Sequence, residues 1–332
     1  MENKCNNKSI LAKPGVASVI TAYVGVLILM IIFSVINPNF FKWSSLTTLM
    51  RSVVPFLLVG IGQAYVCITG NIDLSIGSVV GMSAMISATL MTKSVHPIVA
   101  ALVAMIASMI VGVINGVLVG KFKLPPFIAT LGTMTIARGV AQWVNGNYNT
   151  DNIGSEGPAQ AFKNLFYYGK FLGIYTVVWL ALLVWFIFFY ILTYTRSGRH
   201  IYAVGSNVDA ARLSGVDIFK TISKVYLVSA LCSGLTGLIT MAQSGMGDMS
   251  AGMSYEMYAV AAAVIGGVST LGGSGLLPGV IAGASVWAIL QSGLTFAGVP
   301  VALRNIIIGI IVVACVLFDV LRRRSPKAKK IS

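Results

Sequence analysis

Charge is scarce in this 332-residue chain: 10% of its residues are charged, nine of them acidic, where a soluble domain carries roughly a quarter. Histidine is scarcer still. His96 and His200 stand alone, each at the edge of an apolar run beside polar or proline residues, where solvated surface is the ordinary reading. The four cysteines, Cys5, Cys67, Cys232 and Cys315, lie far apart and three sit inside apolar runs, which indicates neither a disulfide framework nor a zinc site. The serine-hydrolase elbow, the zinc-protease helix and paired carboxylates on one helix face are all missing. A phosphate loop is missing too: Gly120-Lys121 is followed by Phe122, and position 115 is Asn115 where the loop needs glycine. The chain does not bind ATP by that route.

What fills the chain instead is hydrocarbon. Hydrophobic residues make up 57% of it and the mean hydropathy is +0.88, the composition of a polytopic membrane protein. A spanning helix needs about 20 apolar residues to cross a core of about 30 Å. Ten runs approach that ruler: roughly Ala17 to Ile36, Val53 to Thr69, Leu74 to Met91, Ile98 to Val119, Phe127 to Val144, Ile174 to Tyr194, Val225 to Gln243, Met257 to Leu271, Leu276 to Phe296 and Leu303 to Leu321. The first run is followed by Asn37-Pro38-Asn39 without a small-residue cleavage pattern, so it reads as a retained helix. The stretch from Val53 to Met91 carries one charge, Asp73, and as a single helix would be about 60 Å long. It must break, and Gly70-Asn71-Ile72-Asp73 has the turn chemistry to do so. The expected fold is all-α: about ten transmembrane helices, some broken or short, in a membrane domain over residues 17–321, between an N-terminal tail (1–16) and a basic tail (322–332).

A net charge of +14 could suggest nucleic acid, but the positions of the basic residues argue otherwise. Sixteen of the 23 fall in four segments: Lys4, Lys8 and Lys13; Lys121 and Lys123; the connector 195–224; and the tail after Leu321. Ten spans put all four on one face, which the positive-inside rule makes cytoplasmic. A re-entrant Met257 to Leu271 would send the basic tail outside. The expectation is therefore a bacterial cytoplasmic (inner) membrane protein with both termini in the cytoplasm and no nucleic-acid partner. On the other face, 145–173 carries Asp151, Glu156, Lys163 and Lys170 and is long enough to contact a partner. Met246, Met249, Met253 and Met257 recur nearby at helical spacing. Without Cys or His beside them, an apolar face is a better reading than a soft-metal ladder.

The most polar island inside the apolar chain is Thr195 to Tyr226. Its middle has the grammar of one short helix, with Ser206 or Asn207 as cap, Asp209 in the first turn and Gly215 closing the end. Such a helix has about two turns, where isolated helices are marginal below roughly 12 to 15 residues, so it needs a docking surface. Within the membrane, Asp73 either caps a helix beginning at Leu74 or Ser75 or serves function, and Arg138 either snorkels or has a role in fixing packing or lining a vestibule. Gln63, Asn115, Thr130, Thr133, Gln142, Gln243 and Gln291 lie in or beside spans. Each alone is an ordinary interhelical hydrogen bond; together they favour a neutral, hydroxyl-rich substrate. Glycine-rich breaks at Gly70 to Gly77 and Gly266 to Gly275 occupy comparable places in the two halves, each joining a short apolar segment to a longer one.

Four stretches, GNIDLSIGS (Gly70 to Ser78), PPFIATLGTM (Pro125 to Met134), GRHIYAVGSNVDAARLSGV (Gly198 to Val216) and YEMYAVAAAVIGGVSTLGGSG (Tyr255 to Gly275), closely resemble the membrane permease of ribose-type ATP-binding-cassette sugar importers. The resemblance implies a partner ATPase that holds ATP and magnesium, a separate substrate-binding protein, and a second permease copy or paralogue. The substrate it implies is a monosaccharide, a pentose such as ribose first. No cofactor, metal or catalytic residue is implied on this chain. Carried over residue by residue, it places the ATPase contact on Asn207, Asp209, Ala210, Ala211, Arg212 and Gly215, with Asp209 where the wider coupling signature has glutamate. Separately, the polar and ionisable residues in or beside the spans make Gln63, Asn71, Asp73, Ser75, Thr130, Thr133 and Arg138 the candidate translocation pathway. Asn71 departs from the glycine common at that position. An ion-coupled secondary sugar carrier, or a permease for another small metabolite such as a nucleoside or branched-chain amino acid, is the alternative.

Overall fold

The computed structural model describes residues 16–310, apart from 305 and 308. The N-terminal tail up to residue 15, most of the expected span from Leu303 to Leu321 and the basic tail lie outside the described residues. The described chain is helical except for one small hairpin. Its elements are α1 (Val16–Ile36), a 3-10 turn (Pro38–Phe41), α2 (Trp43–Ile68), α3 (Ile76–Thr92), α4 (Pro97–Gly120), α5 (Pro126–Trp143), α6 (Gly157–Lys163) running into a π-turn (Asn164–Tyr168), and the antiparallel pair β1 (Lys170–Phe171) and β2 (Ile174–Tyr175). Then come α7 (Thr176–Tyr194), α8 (Arg196–Ser206), α9 (Val208–Leu213), α10 (Ile218–Ser244), α11 (Tyr255–Ile265) and α12 (Leu277–Phe296).

Among the described residues six helices, α1, α2, α4, α7, α10 and α12, are long and apolar enough to cross a membrane. This is a coarser result than the expected ten spans. The largest departure is at the expected span from Met257 to Leu271. There α11 has 11 residues, about 16 Å of helix against a core of about 30 Å. Turns flank it on both sides, with left-handed backbone at Gly245, Gly252 and Ser254 before it and at Gly267, Gly272 and Gly273 after it. Met246, Met249 and Met253 consequently lie in turns and share no helix face with Met257.

The helix α2 is the axis of the molecule, buried without interruption from Val54 to Ile68. Glycine lets neighbours approach it closely: Gly60 abuts Ala262 and Val280, and Gly62 abuts the backbone of Ser229. α10 packs against α2, α3 and α4, while α11 and α12 cover the other side of α2. The outer helices turn apolar side chains away from the bundle, among them Leu27, Ile31, Leu102, Ile106 and Phe186, as hydrocarbon solvent requires.

The two ends of the bundle differ. At one, the connector end, the C-terminus of α4 meets the N-terminus of α10 through Gly120 and Phe219. At the other, the loop end, the stretch 145–173 is a folded layer stitched to 244–254. Thr150 N donates to Gly247 O (3.0 Å) and Ile153 N to Gly245 O (2.9 Å), and Tyr168 Oη donates to Gln243 O (2.9 Å). The Arg51 guanidinium lies between the Tyr167 and Tyr175 rings, 4.1 and 4.0 Å from their centroids, a cation–π clamp tying α2 to that layer.

Candidate pathway and coupling elements

The polar connector holds two helices rather than one. α8 forms on an apolar stripe, with Ile201 and Val204 buried and Tyr202 Oη donating to Gly275 O at 2.6 Å. Asn207 is the cap of α9: its Oδ1 accepts from the amides of Asp209 (3.0 Å) and Ala210 (2.9 Å). The Ser206 hydroxyl instead donates back to Tyr202 O (2.8 Å). Gly215 closes α9 with φ +80°, a left-handed angle that costs glycine nothing. Ala211 is buried, whereas Asn207, Asp209, Ala210, Arg212 and Gly215 are exposed and Leu213 is 90% exposed. Arg212 and Asp209 pair at 3.4 Å in the open, an interaction worth little by itself. Asp217 caps α10 by accepting from Lys220 N (3.0 Å), and that amide holds its carboxyl below the usual carboxylate range.

The two glycine-rich breaks, comparable only by position in the sequence, touch one another. Gly273 N donates to Ile68 O (2.8 Å), and Gly272 packs on the backbone of Gly70. Gly205 of α8 closes the contact, so near the Ile68 carbonyl and the Gly273 amide that a Cβ would overlap both. The end of α8 is wedged against both breaks.

Beyond the first break, α3 begins at Ile76, two residues later than the earliest expected start. Asp73 Oδ1 accepts from Ser75 N (2.9 Å) and Ser75 Oγ (2.6 Å), and its Oδ2 accepts from Ser229 Oγ (2.7 Å). Asn115 Nδ2 donates to Ser75 Oγ (3.0 Å), and Asn115 Oδ1 accepts from Thr133 Oγ1 (2.7 Å). Tyr226 Oη donates to Ile72 O (3.0 Å). This chain of bonds ties the break to α4, α5 and α10, and its six side chains are all buried. Asp73, Ser75 and Thr133 therefore sit inside a tie between helices, not on an open wall. Thr130 bonds within its own helix to Pro126 O (2.8 Å), and the buried Gln63 donates to Cys67 Sγ (3.6 Å). Asn71 lines a cavity of about 290 Å³ at the connector end with Cys67, Gly70, Phe127 and Thr270.

At the loop end, the turns between α10 and α11 run back along the bundle as far as the second residue of α3, where Gly252 packs on the Gly77 carbonyl. Irregular backbone at such depth needs its carbonyls satisfied. Arg138 does this: Nη1 donates to Met249 O (2.8 Å) and Ala251 O (2.9 Å), and Nη2 to Gly77 O (3.4 Å). It does not snorkel. Arg138 also lines a cavity of about 440 Å³ with Ser78, Thr135, Gln142, Ser254 and Glu256. Sequence reasoning passed over Ser229 and Glu256, the one an unremarkable serine in a span, the other an acid just outside the run read as a span from Met257.

Comparison with known proteins bears on these elements as a set. The family described as branched-chain amino acid transport system / permease component matches residues 45–316. The chain is similar to the ribose import permease protein RbsC of Bacillus subtilis (strain 168), 36% identical over 306 residues that cover 92% of this chain and 94% of that protein. It is 34% identical to RbsC of Escherichia coli (strain K12) over 296 residues, 89% of this chain and 92% of that one. It is 33% identical to the D-allose transport system permease protein AlsC of the same strain over 294 residues, 88% of each chain. No solved structure matches the chain.

Proposed function

We propose, given that this chain belongs to the branched-chain amino acid transport system permease component family, that it forms the membrane pathway of an ATP-driven monosaccharide importer. It is a transport component and not an enzyme. The names of its relatives favour a sugar over an amino acid, with a pentose such as ribose first. On this reading a partner ATPase holds ATP and magnesium and grips α9, a binding protein delivers the sugar at the loop end, and a second copy or paralogue completes the pathway. The connector and both termini face the cytoplasm of a bacterial inner membrane. Ten passes follow if α3, α5, the run from Leu303 to Leu321, and α11 taken together with the turns on either side of it each cross beside the six long helices.

One observation carries the reading: α9 projects an exposed face while the neighbouring α8 is wedged against both helix breaks. A nucleotide-dependent shift of α9 would pass through Asn207 into α8 and bear on Ile68 and Gly273, and so change which side the pathway faces. We assign that pathway to Asn71 at the connector end and Arg138 at the loop end, with Gln63 and Thr130 between. Asp73, Ser75 and Thr133 brace it from behind. The ion-coupled alternative is disfavoured because Asp73, the one fully buried carboxylate among the described residues, already accepts hydrogen bonds on both oxygens. The test replaces Arg212→Glu and Gly215→Pro and measures ATPase co-purification and sugar-stimulated ATPase activity. Both should fall several-fold, and wild-type values would overturn the docking assignment.

A further inference from the structure

The loop-end cavity holds chemistry that the coupling elements do not use. Glu256, in the first turn of α11, is half-buried, and its carboxylate lies so close to Gly77 that a Cβ there would overlap Oε2. Among the described residues no side chain donates a hydrogen bond to it, and the ion pairs within 4.0 Å are those of Arg212 and Lys220 in the connector. Its own backbone amide and the charge of Arg138 act on it, yet no side-chain donor caps its outward oxygens, and an ionisable group inside a membrane bundle marks a substrate path. Facing it across the cavity are Thr135, Arg138 and Gln142, on one face of α5, together with Ser78 and Ser254. Gly139, between Arg138 and Gln142, leaves its side of the cavity open, with nothing within 4 Å of a Cβ. The volume, about 440 Å³, falls within the roughly 300 to 1,000 Å³ of ligand sites.

We infer that this cavity is a receiving site for a neutral polyhydroxylated ring, in which Glu256 and Gln142 bind hydroxyls and Arg138 is a positioning residue. The inference rests on the importer reading and adds a site to it. A carboxylate accepts strong hydrogen bonds from sugar hydroxyls, and an amide can both donate and accept. Met134 and Met253 supply apolar contact for the C–H faces of a ring. Arg138 is engaged by three backbone carbonyls and keeps its positive charge, which faces that of Glu256, so the pair of charges balances and suits a neutral ligand.

The test uses the complete importer, permease with its ATPase and binding protein, with D-ribose and D-allose as probes. Glu256→Gln and Gln142→Ala should each raise the KM for uptake by about tenfold, the loss expected for a hydrogen bond to a charged or buried polar group. ATPase co-purification and the binding protein's own affinity should stay at wild-type values. Separately, Met253→Cys in the purified permease should react with a maleimide several-fold more slowly when the sugar is saturating, and Glu256→Gln should abolish that protection. Import with unchanged KM in both variants, or labelling indifferent to sugar, overturns the site while leaving the importer intact. Absence of any sugar uptake by the wild-type complex overturns the importer reading instead. Should Glu256→Gln fail to assemble, Gln142→Ala and the labelling of Met253→Cys decide without it.

Discussion

Asn115 shows how much one amide can hold. Its two ends bond in opposite directions, to Ser75 at 3.0 Å and from Thr133 at 2.7 Å, so it joins α4 to the first helix break and to α5. Asn115→Leu removes both bonds in a buried setting, at an expected cost of about 1 to 3 kcal/mol for each polar group left unpaired. Thr130→Val, which loses only a bond to its own helix, should cost less. Thermal unfolding in detergent should place the Tm of Asn115→Leu clearly below that of Thr130→Val; equal values would show that the tie is not a stabilising element. Asn115 was legible in the sequence because an amide in an apolar run needs partners. Ser229 was not, because a hydroxyl in a helix ordinarily bonds the carbonyl four residues back, as Ser233 and Thr236 do in the same helix.

At the scale of elements, the connector divides into a legible part and a hidden one. The caps of α9 are local chemistry, an asparagine before the helix and a glycine after it, and both stand where the sequence put them. α8 was hidden because only packing makes it a helix: Ile201 and Val204 are buried against the bundle and Tyr202 reaches Gly275. Its end offers the sharpest test of the coupling route. Gly205→Ala should push Ile68 and Gly273 apart while leaving the face of α9 unchanged. ATPase co-purification should then persist and sugar-stimulated ATPase activity should drop several-fold. Gly132→Ala, in open space on α5, serves as the neutral control. If the two alanine variants behave alike, α8 is not the transmission element.

For the whole molecule, the question is which end faces which compartment. Lys121, Lys123 and the connector share one end, which we propose, on the positive-inside rule, faces the cytoplasm. Phe122 and Tyr148 are both exposed, at opposite ends of α5 and its flanks. In a cysteine-free background, an impermeant maleimide should label Tyr148→Cys in intact cells and Phe122→Cys only after permeabilisation; the reverse pattern would invert the orientation. The sequence by itself determined the class of this protein: an apolar, helical membrane chain without an ATP loop, with helices broken at two glycine-rich sites and a capped helix in a basic connector. These follow from composition and from residues within a turn of one another. Only the tertiary structure decided that the two breaks meet, that α8 is wedged against both, and that turns beside α11 reach back to α3 under the hold of Arg138. Those facts rest on pairs such as Asp73 with Ser229 and Arg138 with Ala251, separated by 156 and 113 positions. Their pairing depends on how helices pack, which no local pattern of residues encodes.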